Sequence, residues 1–151
     1  MTDIHLQYGR NSVDGFKQAI DTLNKLKPDF LLTGGDLVEH RLISQTDSIY
    51  KLYVETCKQI NMPVYNSIGN WDCFSFNKYG KHENVEIQDR KKMFNQYLGD
   101  SYYSFNYKGW HFMVLDALSS IKDSEGNLVD ISCIDSVQIE WIKNELDNID
   151  T

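Results

Sequence analysis

The sequence is short of the features that mark most specialised chains. It has two prolines, Pro28 and Pro63, and three cysteines in 151 residues. It has no low-complexity tract and no internal repeat, which leaves out collagen-like, linker-like and solenoid chains. Cys57, Cys73 and Cys133 have no CxxC spacing, and an odd number of widely separated cysteines makes no disulfide framework. They are expected as reduced thiols, with Cys73 as a small buried apolar residue. No apolar run approaches the roughly 18 residues of a membrane span. The start, Met1-Thr2-Asp3-Ile4-His5, lacks the basic beginning and apolar centre of a signal peptide. A cytoplasmic location is therefore expected, unless an export signal is encoded upstream of Met1. Neither GxGxxG nor GxxxxGK[ST] occurs, so a nucleotide-binding α/β protein ranks low. Positive charge is scarce: 15 Lys and Arg face 22 Asp and Glu, a net charge of −7. That excludes a general binder of nucleic acid or anionic membrane, and neither is expected as a partner. It suits a protein that gathers carboxylates around cations.

What is present is the composition of a folded domain, with 41% hydrophobic and 25% charged residues against the low hydrophobicity of disordered chains. One domain over residues 1–151 is expected. Val13, Phe16, Ile20, Leu23 and Leu26 recur at helical steps after a cap at Asn11 or Ser12, and Pro28 ends the run. Phe30 to Thr33 reads as a short buried strand. Arg41 to Thr46 reads as polar loop. A second helix is predicted from Thr46 or Asp47 to about Ile60, with Ile49, Leu52, Tyr53 and Cys57 inward. Val64 to Ile68 is the next strand, so strand–helix–strand implies a parallel sheet. Cys73 to residue 84 reads as irregular loop, and Gln88 to Leu98 as a helix stopped by Gly99. Tyr102–Tyr107 and Trp110–Leu115 around Lys108-Gly109 form the clearest hairpin. Ala117 to Ile134 reads as a long polar loop turning at Glu125-Gly126-Asn127. A last helix starts at Asp135 or Ser136, with Val137, Ile139, Ile142 and Leu146 as its apolar stripe.

Three polar tips fall at or near strand ends: Asp3-Ile4-His5, Gly34-Gly35-Asp36 and Gly69-Asn70-Trp71-Asp72. In open α/β sheets ligands bind beyond those ends. Glycines let an aspartate approach a ligand closely. Carboxylate, imidazole and amide oxygens together suit Mn, Fe or Zn better than Ca. Asp3, His5, Asp36 and Asn70 are the candidate metal ligands.

These tips resemble the motif blocks of the calcineurin-like metallophosphoesterases, in particular a cyclic-nucleotide-phosphodiesterase-like branch. The family pattern runs D-x-H, G-D, G-N-H-D/E, a single His, then G-H-x-H. Thr2-Asp3-Ile4-His5-Leu6, Gly34-Gly35-Asp36-Leu37-Val38 and Gly69-Asn70-Trp71-Asp72 match its first three blocks. Lys27-Pro28-Asp29-Phe30, Tyr102-Tyr103-Ser104-Phe105 and Gln138-Ile139-Glu140-Trp141-Ile142 look like its connecting segments. The resemblance implies a four-layer α/β/β/α sandwich and two divalent cations (Mn, Fe or Zn). Asp3 and His5 would hold the first cation, Asp36 both, and Asn70 the second, with Asp72 in an orienting role. The implied activity is hydrolysis of a small-molecule phosphate monoester or diester.

The sequence departs from the pattern twice. Trp71 stands where the family has its His, at the position that would protonate or stabilise a leaving group. The single His and G-H-x-H blocks are missing: the only histidines are His5, His40, His82 and His111. His40 and His82 read as solvated loop residues and His111 as a packed strand residue. The chain therefore reads as the N-terminal portion of such a domain, incomplete at the C-terminus and in its first strand, with exposed apolar sheet faces. Weak metal binding and little activity in isolation are expected. The alternative is a catalytically degenerate metal-binding or interaction protein.

Overall fold

The computed structural model describes residues 1–9, 11–39, 43–73 and 85–149. The first helix, α1 (Ser12–Leu26), buries Phe16 and Ile20, as the spacing predicts. Asn11 does not cap it through its side chain; it takes the left-handed conformation. Ser12 fixes the entry instead, its hydroxyl accepting from the Gln7 amide at 3.0 Å and donating to the Gln7 carbonyl at 2.8 Å. Lys27 closes the helix in the left-handed region, and its amide bonds back to the Leu23 carbonyl at 2.9 Å.

β1 (Leu31–Leu32) and β2 (Val64–Tyr65) pair in parallel, Leu31 opposite Val64 and Leu32 opposite Tyr65. Residues 1–6 run along the other side of β1 and its extension. The Met1 amine donates to the Leu32 carbonyl at 2.9 Å, and Leu6 pairs in parallel with Val38. The first two tips therefore lie side by side, and β2 leads into the third. β1 and β2 are shorter than the predicted runs, although the Thr33 amide still reaches the Tyr65 carbonyl at 3.0 Å.

α2 (Ile43–Cys57) joins β1 to β2. It begins before the predicted start and ends three residues short of Ile60, so the expected polar loop to Thr46 is partly helix. Its buried stripe is Ile49, Tyr50 and Tyr53, with Leu52 and Cys57 only partly covered. Tyr50 escaped the periodic reading because a tyrosine is buried only when its hydroxyl finds a partner. Here it donates to the Asp72 carbonyl at 3.0 Å, and the Tyr53 hydroxyl donates to Asn66 at 2.8 Å. Phe16 stacks on Tyr53 and Tyr50 on Tyr97. With Leu6, Leu37, Val38, Ile68, Ile87 and Phe94 these form the core under the tips.

A 3-10 turn at Trp71–Cys73 follows the third tip. The predicted loop beyond it, and His82 in it, lie outside the described residues, as does His40. α3 (Ile87–Leu98) ends at Gly99, as expected. β3 (Tyr103–Tyr107) and β4 (Trp110–Val114) form the predicted hairpin, turning through Lys108 and Gly109 at positive φ. Phe105 stacks between Phe112 and Tyr65, and Phe30 meets them edge-on, which fastens the hairpin to the parallel sheet.

Two expectations are overturned. Residues 117–134 are not an irregular loop: β5 (Leu118–Lys122) and β6 (Leu128–Ser132) pair antiparallel. The turn was legible, because Asp123 accepts from the Glu125 and Asn127 amides and Gly126 takes a φ of 83°. The strands were not, because serines and charges hide their alternation. In α4 (Ser136–Asp147) the Asp135 side chain caps the helix by accepting from the Gln138 amide at 2.8 Å. Its predicted apolar stripe is not buried: Val137 is 67% exposed, whereas Gln138 is 3% exposed. The amide of Gln138 exchanges two bonds with the backbone of Asp116, and that pairing sets the helix's rotation. The three cysteines are free thiols, Cys73 buried as expected and Cys133 exposed. Mixed helices and small sheets make this an α/β fold.

Candidate metal centre

The three tips converge because two glycines leave room. Gly35 has a φ of 87°, and a methyl there would lie 2.7 Å from the Gly69 amide nitrogen. A methyl on Gly69 would collide with the backbone nitrogen and Oδ1 of Asp36. The second and third tips thus touch backbone to backbone, which no side chain permits. A methyl on Gly34 would meet the Thr2 side chain at 2.8 Å, so the first tip is as close.

Asp3, His5 and Asp36 all take positive φ, of 54°, 45° and 54°. Such backbone costs a non-glycine residue about 1–3 kcal/mol and is held only where its surroundings enforce it. Here the Asp3 amide donates to the Gly35 carbonyl at 3.1 Å and the His5 amide to the Asp36 carbonyl at 2.9 Å. The same bonds bring the side chains together. His5 Nε2 lies 3.8 Å from Asp3 Oδ1 and 3.8 Å from Asp36 Oδ2. One ligand atom from each of the three residues lies within 4.8 Å of the others. Each carboxylate has one oxygen held: Asp3 Oδ2 accepts from Thr2 Oγ1 at 2.7 Å, and Asp36 Oδ1 from the Trp71 amide at 2.9 Å. That leaves Asp3 Oδ1 and Asp36 Oδ2 beside the imidazole. Two carboxylate oxygens and one imidazole nitrogen at this spacing fit a first-row divalent cation.

Asn70 sits at the third tip, next to the residue whose amide holds Asp36. The Trp71 ring lies edge-on to His5, with centroids 5.4 Å apart. An indole is therefore packed against a candidate ligand. Asp72 is buried. Its Oδ1 accepts from the Leu37 and Val38 amides at 2.9 and 3.1 Å, and its Oδ2 from the Gly69 amide at 2.8 Å. Burial pushes its carboxyl up to about 7 against the pull of those three donors, and the charge of Asp36 adds to the rise. Asp72 thus ties the second tip to the third.

Sequence reasoning missed Glu39. It accepts from Gln7 Nε2 at 2.6 Å, and its carboxylate lies 3.9 Å from His5 Nδ1, beyond hydrogen-bond length. A metal-binding histidine commonly presents its other nitrogen to a carboxylate. The signal was the parallel run of residues 1–6 beside 32–38, which sets positions 7 and 39 side by side. His111 takes no part: its Nδ1 lies 2.7 Å from Asn106 Oδ1 and its Nε2 3.2 Å from Glu145, on the β3–β4 hairpin.

Fold and cluster together are those of an α/β protein with three candidate metal ligands at the carboxyl ends of its parallel strands. The family model for calcineurin-like phosphoesterases matches residues 1–149, and the chain belongs to that family. Its members are in general hydrolytic phosphoesterases that bind divalent metal ions. No curated protein matches the chain. No helix among the described residues is long and apolar enough to cross a membrane.

Proposed function

We propose that the chain carries a dinuclear metal site and hydrolyses a phosphate monoester or diester of a small molecule. The observation that carries this reading is the convergence of Asp3, His5 and Asp36 within 4.8 Å on left-handed backbone. In it, Asp3, His5, Asp36 and Asn70 would hold the cations, with Asp36 shared between them. Bound there, two divalent cations supply Lewis acidity for a phosphoryl group and reverse the local negative charge. The chain's own residues fix the ligands: Thr2 and the Trp71 amide orient the carboxylates, and Asp72 locks two tips together. With four candidate ligands among the described residues for two cations, weak affinity for metal is expected.

Trp71 narrows the substrate range. An indole N–H donates a hydrogen bond but transfers no proton near neutral pH. General acid catalysis is worth about 10²–10⁴-fold, so esters of acidic leaving groups turn over far better than alkyl esters. The test is hydrolysis of bis(p-nitrophenyl) phosphate with millimolar Mn²⁺ by wild type and Asp36→Asn, alongside calorimetric Mn²⁺ titration. Metal-dependent release of nitrophenol that Asp36→Asn loses, with loss of the binding heat, supports the reading. A rate no different from that in chelator overturns it. Trp71 favours one second reading, a metal-binding protein without turnover, in which Mn²⁺ binds and no nitrophenol is released.

A further inference from the structure

Both ring nitrogens of His5 face carboxylates. Nε2 lies 3.8 Å from Asp3 Oδ1 and 3.8 Å from Asp36 Oδ2. Nδ1 is buried, makes no hydrogen bond among the described residues, and lies 3.9 Å from Glu39 Oε2. A neutral imidazole carries one proton, on one nitrogen or the other. On Nε2 that proton would point at Asp3 and Asp36 and occupy the lone pair that a cation needs. On Nδ1 it leaves that lone pair free, and Glu39 is placed to accept it.

Glu39 is held there from several sides. Leu6 pairs with Val38, and the Glu39 amide donates to the Leu6 carbonyl at 2.9 Å, which sets residue 39 beside the first tip. Gln7 Nε2 donates to Glu39 Oε2 at 2.6 Å. Ser12 in turn fixes Gln7, by one bond to its amide and one to its carbonyl. The Glu39 side chain is 12% exposed, so little water competes for its oxygens. A carboxylate oxygen has two lone pairs, so Oε2 can accept from His5 as well as from Gln7. Closing the 3.9 Å gap to a bond takes a shift of about 1 Å. We propose that Glu39 is a positioning residue that keeps the His5 proton on Nδ1, and so presents the Nε2 lone pair between Asp3 and Asp36. Gln7 pins its carboxylate for that task. The proposal rests on the metal-site reading above, and Glu39 acts in it only through His5. A purely structural tie between residues 7 and 39 would need no more than the Gln7–Glu39 bond, so the two roles can be separated.

The experiment uses the full chain with ¹⁵N-labelled histidine. Long-range ¹H–¹⁵N spectra of the metal-free protein, at about pH 9 where a free imidazole is neutral, report which nitrogen of each ring carries the proton. His5→Gln identifies the His5 signals. In wild type the proton is expected on Nδ1. In Glu39→Leu it is expected to move to Nε2, and in Gln7→Leu, which keeps the carboxylate, to stay largely on Nδ1. Calorimetric titration with Zn²⁺ is expected to show binding about 10–100-fold weaker in Glu39→Leu than in wild type, with a smaller loss in Gln7→Leu. A wild-type proton on Nε2 overturns the proposal. So does Glu39→Leu with the wild-type tautomer or the wild-type Zn²⁺ affinity, and so does Gln7→Leu matching Glu39→Leu in both. The wild-type spectrum needs no substitution, so a variant that fails to fold does not blunt the test. A tautomer that Glu39→Leu reverses, with no Zn²⁺ bound by either protein, supports the positioning role and sinks the metal-site reading alone.

Discussion

At the scale of single residues, Trp71 carries the sharpest prediction of the proposed function, in which it stands where a proton-transferring His would. Trp71→His restores a group that can transfer a proton near neutral pH. Turnover of an alkyl phosphodiester is expected to rise at least tenfold, and that of a nitrophenyl ester by less, because its leaving group needs no proton. Equal gains on the two substrates would sink the argument. Asp72 makes a different prediction. In Asp72→Asn the amide nitrogen faces the Gly69 N–H, donor against donor, while the oxygen can still serve Leu37 and Val38. A buried donor left without an acceptor costs about 1–3 kcal/mol, which urea unfolding would read as a lower midpoint at unchanged slope. Asp3, His5 and Asp36 were legible because their spacing within each tip is local. Asp72 was given an orienting role, but the amides it holds were not legible, because they lie 34 and 35 residues away on the second tip. Glu39 stayed hidden for the same reason: only the pairing of Leu6 with Val38 brings it to His5.

At the scale of elements, α1, α3 and the β3–β4 hairpin were readable from periodicity and turn residues, and the ends of β1, α2 and β2 were not. What decides those ends is tertiary. β1 is a two-residue ladder extended by bonds to residues 1–6 on one side and to Tyr65 on the other. The β5–β6 hairpin and α4 were misread because polar side chains, not an apolar face, fasten them. Lys91 shows how. Its ammonium is buried 2.6 Å from Asp116 Oδ2 and donates to the Leu118 carbonyl, while Asp116 exchanges two bonds with Gln138 of α4. One ion pair therefore joins α3, β5 and α4. Removing one partner of such a pair leaves a buried charge uncompensated and costs about 3–5 kcal/mol. Lys91→Met should lower the thermal midpoint by at least several degrees. Protease cleavage within residues 117–134 should rise in parallel, and a loss of stability without that cleavage would place the damage elsewhere.

At the scale of the whole molecule, reactivity should report which surfaces are closed. Burial raises the Cys57 thiol from its ordinary 9 to about 11 and raises that of Cys73 further. At pH 8 only roughly one Cys57 in a thousand is then thiolate, the reactive form. Iodoacetamide is expected to modify exposed Cys133 within minutes and to spare Cys57 and Cys73 until denaturant is added, as peptide mass spectrometry would show. The sign for stability follows from the same shift. Between pH 9 and 11 the folded chain keeps the Cys57 proton that the unfolded chain releases, so stability falls across that window. Cys57→Ser should flatten that part of the profile.

The contact between Gly35 and Gly69 has a dynamic consequence. The amides of residues 37, 38, 69 and 71 come from two different tips, yet all end on the carboxylates of Asp36 and Asp72. With the backbones in contact, neither tip can swing away while the other stays. Those four amides should show one common opening free energy in hydrogen–deuterium exchange, as a single opening unit.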